Sequence, residues 1–237
     1  MYTAVFDGIN PFKPQTILNT ADPMLKPAFS HVRTWVFDLD HTLYPPDVGL
    51  FDQIEVLMVD YVANTLGVSR AQADQLRTVY WQKYGTTLAG LMAEHDIAPD
   101  PFLEAVHDID FSVLPKDPAL ATALAALPGR KIVYTNGTKP YASDVLTACG
   151  LDGIFEAVYG VEHANYRPKP EQAAFEAVFA LDGLPPQTGA MFEDTIRNLT
   201  VPHAMGMRTV HVAPDAEHHD HIHHHTSDLA AFLSQLV

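Results

Sequence analysis

The chain has 237 residues, 47% of them apolar, enough for one domain of ordinary size plus an insertion. Its 14 basic and 29 acidic residues leave a formal charge of −15, which repels a phosphate backbone and argues against general nucleic-acid binding; a small phosphorylated ligand would need local neutralisation by a cation. The single cysteine, Cys149, excludes an internal disulfide and reads as a buried thiol at a helix end. No apolar run reaches membrane-spanning length, and the first residues lack a basic start followed by an apolar core, so a soluble cytoplasmic protein is expected.

Residues 1–31 are proline-containing and without clear periodicity, and read as a loosely held extension in which Met24 is an alternative start. Trp35–Phe37 then run as a short buried strand into two carboxylates, Asp38 and Asp40, before Tyr44-Pro45-Pro46 breaks the chain. From 47 to 110 the pattern is helical and strand-free. Leu50, Phe51, Ile54, Leu57, Met58, Tyr61, Val62 and Leu66 recur at three- and four-residue spacing, and Gly67 closes that helix. Ser69 is the expected N-cap of a second helix reaching Tyr84, and shorter helices are expected over Thr87–His95 and Pro101–His107. This stretch is large enough to be a small helical domain inserted into the core.

Beyond residue 110, strand and helix alternate. Asp117-Pro118 opens a helix that Pro128-Gly129 ends. Strands are predicted at Lys131–Thr135, Ala157–Tyr159, Gly189–Phe192 and Thr209–Val212. Helices are predicted at Tyr141–Cys149, Glu171–Leu181, Arg197–Met205 and Ser227–Leu236. The histidines at 218, 219, 221 and 223–225 fall in a polar stretch read as a solvated connector, with no metal ligand assigned there. Alternation of this kind predicts an α/β, Rossmann-like parallel sheet with helices on both faces, formed by 32–46 and 111–237, with ligands at the carboxyl ends of the strands.

The polar residues that follow those strands fit one site. Asp38, Asp40 and Thr42 follow the first, Thr135, Asn136 and Gly137 the second, and Glu193 and Asp194 the strand at Met191-Phe192. Lys169 stands between prolines ahead of the amphipathic helix. Strand residues i and i+2 point the same way, so Asp38 and Asp40 repel each other unless they grip a hard cation or divide nucleophile and acid/base roles. Carboxylates, a hydroxyl, an amide and one ammonium group suit magnesium and a phosphoryl group.

Four short signatures in order, Asp38-Leu39-Asp40-His41-Thr42, Thr135-Asn136-Gly137, Lys169-Pro170 and Glu193-Asp194, make the chain resemble the haloacid dehalogenase superfamily, in its phosphatase branch with a helical cap after the first strand. The resemblance covers about residues 32 to 214. A finer resemblance, to pyrimidine 5′-nucleotidases, rests on Phe37–Pro45, on the cap segment Tyr80–Leu91, on Tyr166–Pro170 and on Phe192–Leu199. It implies that Asp38 is the nucleophile and that Asp40 is the general acid and base. It also implies that Lys169, Thr135 and the Asn136 amide bind the phosphoryl oxygens. By the same resemblance Asp38, the Asp40 carbonyl and Asp194 hold Mg²⁺, with Glu193 in an outer or water-mediated position.

Taken together these imply a phosphomonoesterase acting on a small phosphorylated metabolite, above all a pyrimidine nucleoside 5′-monophosphate. A phosphatase of another small organic phosphate, a phosphomutase and a non-catalytic binding protein are the alternatives. In the cap, Tyr80, Trp81 and Tyr84 offer either a stacking platform for a nucleobase or packing for the cap itself, since Tyr80 and Tyr84 share a helix face. The oligomeric state is not legible in the sequence.

Overall fold

Thr34–Phe37 form β1, a strand buried along its whole length in the computed structural model, which describes residues 24–237. Parallel neighbours flank it on both sides: β2 (Arg130–Tyr134) and β4 (Gly189–Glu193). β3 (Ala157–Tyr159) extends the sheet beyond β2, and β5 (Arg208–Val212) and β6 (His224–Thr226) extend it beyond β4. The order is β3-β2-β1-β4-β5-β6, all parallel, so every carboxyl end lies along one edge of the sheet.

Period-two alternation divides the apolar residues of these strands into two layers. Trp35, Phe37, Val133 and Phe192 pack with α1 (Leu25–Ala28), α6 (Pro118–Ala126), α7 (Lys139–Cys149) and α10 (Leu229–Ser234). Val36, Ile132, Tyr134 and Met191 face the other way, onto Phe175, Val178 and Phe179 of α8 (Gln172–Asp182). Both faces are covered, as a parallel sheet requires.

Four helices lie between β1 and α6: α2 (Leu50–Leu66), α3 (Arg70–Tyr84), α4 (Thr87–His95) and α5 (Pro99–Val106). Ser69 caps α3 reciprocally with Gln72, the Ser69 hydroxyl accepting from the Gln72 amide and the Gln72 side chain accepting from the Ser69 amide at 3.0 Å. Their common core holds Ile54, Val62, Ala73, Tyr80, Leu88, Leu91 and Phe102.

Three expectations are corrected. Residues 24–31 are not a loose extension. Leu25 and Phe29 are buried, and the Phe29 ring stacks on Trp35 at 5.8 Å, so this segment closes one face of the sheet; residues 1–23 lie outside the described residues. The helix expected over Arg197–Met205 is instead a 3-10 turn at Ile196–Leu199 followed by α9 (Thr200–Ala204). Pro202 has no N–H for the Asn198 carbonyl, so an α-helix must begin late enough to place it in the first turn.

The histidine-rich stretch is the third. Its end is β6, and its rings reach back into the fold. His223 Nδ1 accepts from the Thr209 amide at 3.1 Å, while His221 Nε2 donates to the Ile196 carbonyl at 3.1 Å and His225 Nε2 to the Ala213 carbonyl at 2.8 Å. A neutral imidazole both donates and accepts, which lets a polar stretch satisfy an edge strand.

One contact fixes how closely α3 and α4 approach. A Cβ on Gly90 would stand 2.2 Å from Cγ and 2.4 Å from Cβ of Tyr80, at the stiff root of that side chain. Gly90→Ala should therefore lower stability by about 1–3 kcal/mol through forced separation of the two helices. Urea unfolding measures it, and an unchanged midpoint would show that the pair relaxes freely.

Candidate active site

The site begins where the sheet ends. The Asp38 amide donates to the Phe192 carbonyl at 2.9 Å, so the nucleophile candidate is still tied to the sheet one residue past β1. Its carboxylate is buried. Lys169 reaches it from the turn before α8, donating to Asp38 Oδ1 at 2.6 Å, to Glu193 Oε2 at 2.7 Å and to the Tyr134 carbonyl at 3.0 Å. All three donors of the ammonium group are thereby used, with only 1% of the residue exposed. The peptide bond from Lys169 to Pro170 is cis.

Charge and burial compete here. Burial, then the neighbouring Glu193, raises the Asp38 carboxyl to about 7 against the opposing pull of Lys169. Burial likewise raises Glu193 to about 7, again against Lys169. For Lys169 burial works against the charge, but Asp38 and Glu193 outweigh it and its pKa is raised. One ammonium group is thus shared by two buried carboxylates, with Asp194 close by.

Asp38, Glu193 and Asp194 each present a carboxylate oxygen within 4.8 Å of the other two, the one grouping among the described residues suited to a metal ion. An all-oxygen, acid-rich donor set fits a hard divalent cation such as Mg²⁺ rather than a soft one. Glu193 is the most constrained of the three. Its Oε1 accepts from the Thr195 amide and from Asn198 Nδ2, both at 3.2 Å, while Oε2 faces Lys169. Asp194 is more open, with its carboxylate near His41 Nδ1 at 3.7 Å.

Asp40 is held differently. Two phenols, Tyr44 from the end of the first loop and Tyr141 from the first turn of α7, donate to its Oδ1 at 2.6 and 2.5 Å. Burial raises its pKa, and the Tyr141 and Tyr44 hydrogen bonds draw it part of the way back. Both phenols are themselves pushed up by burial and so stay protonated donors.

Thr135 accepts from the Gly137 amide at 2.9 Å, which leaves its own hydroxyl hydrogen to donate into the cavity it lines. Asn136 lines the cavity too, but its side chain is committed elsewhere. Its Oδ1 accepts from the Lys169 amide at 2.8 Å and its Nδ2 donates to the Lys169 carbonyl at 3.3 Å, clamping the lysine's backbone. Thr42 donates to Asp38 Oδ2 at 3.4 Å.

The cavity holds about 490 Å³ and lies between the carboxyl edge of the sheet and the cap. Core residues Asp38, Asp40, Thr135, Lys169, Glu193 and Asp194 line its floor; Phe51, Met58, Arg77, Trp81, Leu88 and Leu103 line the cap side. The cap tyrosines do not line it. Tyr80 is buried in the cap and pairs with His95 Nε2 at 2.6 Å, while Tyr84 donates to Glu94. Their shared face points into the cap and at its surface acid, and of the three neighbouring aromatics 80, 81 and 84 it is Trp81 that lines the cavity. Arg167, beside the lysine, is exposed and not among the lining residues.

Several residues of the site carried no warning in a linear reading. Tyr141 lies a hundred residues from Asp40 and becomes its partner only through the parallel pairing of β1 with β2. His41 adopts a left-handed φ of 60° that turns its ring toward Asp194. His211 donates from Nε2 to the Asp194 carbonyl at 2.9 Å, bracing that loop from β5.

An α/β sheet with carboxylates and a buried lysine at its carboxyl edge, under a helical cap, places the chain in the class of Rossmann-like α/β proteins that carry an inserted helical cap. A family model for haloacid dehalogenase-like hydrolases matches residues 32–206, and the chain belongs to that family. Among curated proteins it is similar to Phosphate metabolism protein 8 of Saccharomyces cerevisiae, 26% identical over 212 residues that cover 78% of this chain and 63% of that protein. The chain therefore spans somewhat less than two thirds of that relative. Among solved structures, magnesium-bound YfnB of Bacillus subtilis superposes with a TM-score of 0.58 at 16% identity, covering 86% of this chain and 98% of that one. A HAD phosphatase from Thermococcus onnurineus gives 0.58 at 18% identity, covering 84% and 94%. No helix among the described residues is long and apolar enough to cross a membrane.

His107 stacks on Tyr141 with ring centres 4.2 Å apart, and burial lowers its pKa to about 4. The unfolded chain takes up a proton near about pH 6.5 that the folded chain refuses, so this contribution is present above that pH and is lost as pH falls toward about 4. Stability should fall between about pH 6.5 and pH 4, and His107→Gln should reduce the fall. Urea midpoints at two pH values measure both; an equal fall in the variant would assign the effect to other groups.

Proposed function

We propose that the chain is a Mg²⁺-dependent phosphomonoesterase that passes through an aspartyl-phosphate on Asp38, with pyrimidine nucleoside 5′-monophosphates as substrates. The observation that carries this reading is Asp40. A carboxyl two residues from the nucleophile, raised by burial and held by two phenols, is equipped to donate and recover a proton. Displacement of a halide needs no such acid, whereas loss of an alkoxide from a phosphate ester does.

Asp38 is the attacking group. As its oxygen bonds to phosphorus, the ester bond to the leaving oxygen breaks and Asp40 gives that oxygen its proton. Asp40 then takes a proton from a water molecule, whose oxygen attacks phosphorus and breaks the bond to Asp38. Inorganic phosphate leaves, and both aspartates return to their starting states. Lys169 orients Asp38 and offsets its charge, and Thr135 offers a hydroxyl to a phosphoryl oxygen. Asp38, Asp194 and, at one remove, Glu193 are the residues that would hold Mg²⁺; when bound, the ion draws negative charge from the phosphoryl group.

The substrate assignment rests on the cavity and the cap. A volume of about 490 Å³ lies in the range of sites that enclose a small organic ligand, and the wall opposite the carboxylates is mostly apolar with Trp81 at its margin. Such a wall suits a planar base better than a bare sugar. The Tyr80–Leu91 segment that resembles pyrimidine nucleotidases contributes that wall through Trp81 and Gly85 to Leu88.

Phosphate release from uridine and cytidine monophosphates should exceed release from glucose 6-phosphate, and chelation of divalent ions should abolish it. Isomerised product without phosphate release would instead indicate a mutase. Asp38→Asn should eliminate turnover with the fold intact by circular dichroism. Asp40→Asn should lower kcat by about 10²–10⁴ for substrates with poor leaving groups. Normal turnover in Asp38→Asn would sink the mechanism.

A further inference from the structure

Arg197 lies three residues beyond Asp194, on the loop that follows β4, yet its guanidinium makes its contacts on the cap. Its Nη1 donates to the Trp81 carbonyl at 3.0 Å and its Nη2 to the Gly85 carbonyl at 2.9 Å. Its plane sits over the Trp81 ring, 3.9 Å from the ring centre. These carbonyls belong to the carboxyl end of α3, where the Trp81 carbonyl also accepts from the Gly85 amide at 3.1 Å and the helix presents the negative end of its dipole. A planar fork that stacks and donates twice is something lysine cannot supply.

A second contact sits at the same place. Gly85 lies so close to the lysine turn that a Cβ on it would meet Pro168 Cγ at 3.2 Å and the Lys169 carbonyl at 3.3 Å. The end of α3 is thus wedged against both the Lys169 turn and the Asp194 loop. Trp81, Gly85 and Arg197 all line the cavity as well.

We propose that Arg197 is a positioning residue that seats the carboxyl end of α3 on the Asp194 loop, so that the cavity wall facing the leaving group is registered against the carboxylates that face the phosphoryl group. This rests on the reading of the site as a phosphomonoesterase. The seat governs substrates whose leaving group reaches the cap and has little purchase on those whose leaving group does not.

Arg197→Ala and Arg197→Lys are compared with the unsubstituted protein in two ways. Kinetically, the ratio of kcat/KM for uridine 5′-monophosphate to that for acetyl phosphate should fall at least tenfold in Arg197→Ala, chiefly through KM, and partly recover in Arg197→Lys. By hydrogen exchange, amides over 81–91 should lose protection in both variants while those of β1 and β4 do not. A loss equal for both substrates, or protection over 81–91 that matches the unsubstituted protein, overturns the proposal. If the unsubstituted protein hydrolyses neither compound, the functional reading fails, and the exchange result alone decides whether Arg197 seats the cap.

Discussion

An ammonium group placed between two carboxylates, out of reach of water, sets the geometry of everything around it. Lys169 meets Asp38 and Glu193 at 2.6 and 2.7 Å with essentially no exposure. Burying three charges costs several kcal/mol per ion, and good pairing offsets much of that without turning it into a large net gain. What the arrangement secures is position. Taking away the ammonium group would leave two carboxylates with no counter-charge, so the turn before α8, the end of β1 and the end of β4 must arrive together. Asn136 adds a second tie by gripping the backbone of the lysine, which brings the end of β2 into the same arrangement.

The two aspartates of the first loop meet different surroundings. Asp38 is met by a cation and Asp40 by two neutral phenols. Lys169 opposes the rise that burial and Glu193 impose on Asp38, while the hydrogen bonds from Tyr141 and Tyr44 draw the raised pKa of Asp40 part of the way back. Two identical side chains, two residues apart, are thereby given distinct partners by residues from α7 and the turn before α8.

Much of the fold was legible because its signals are local. Short apolar runs marked β1, β2, β4 and β5, which are buried almost throughout, and caps such as Ser69 and Asp117 marked helix starts. The candidate site was legible because its members other than Lys169, which stands ahead of α8, follow a strand. β6 was not, since a run of histidines carries no apolar alternation; the rings of His221 and His223, just ahead of it, are tied to Thr209 of β5 and to the Ile196 carbonyl on the Asp194 loop. Tyr80 and Tyr84 misled for a related reason. Helical spacing says which residues share a face, but not whether that face looks into a cavity. Gly90, a residue without a side chain, decides that Tyr80 faces α4.

The hydrogen bond from the Asp38 amide to Phe192 means that the first aspartate inherits its place from strand register. A slip of one residue in β1 would exchange its side chain for that of Leu39 and erase the chemistry outright. The helical insertion, by contrast, departs only after Tyr44-Pro45-Pro46, past the last residue the sheet holds. Natural variation can therefore rewrite the cap, lengthening, trimming or repacking its helices, while the reaction centre stays put. A protein built this way can change its lid without moving its engine.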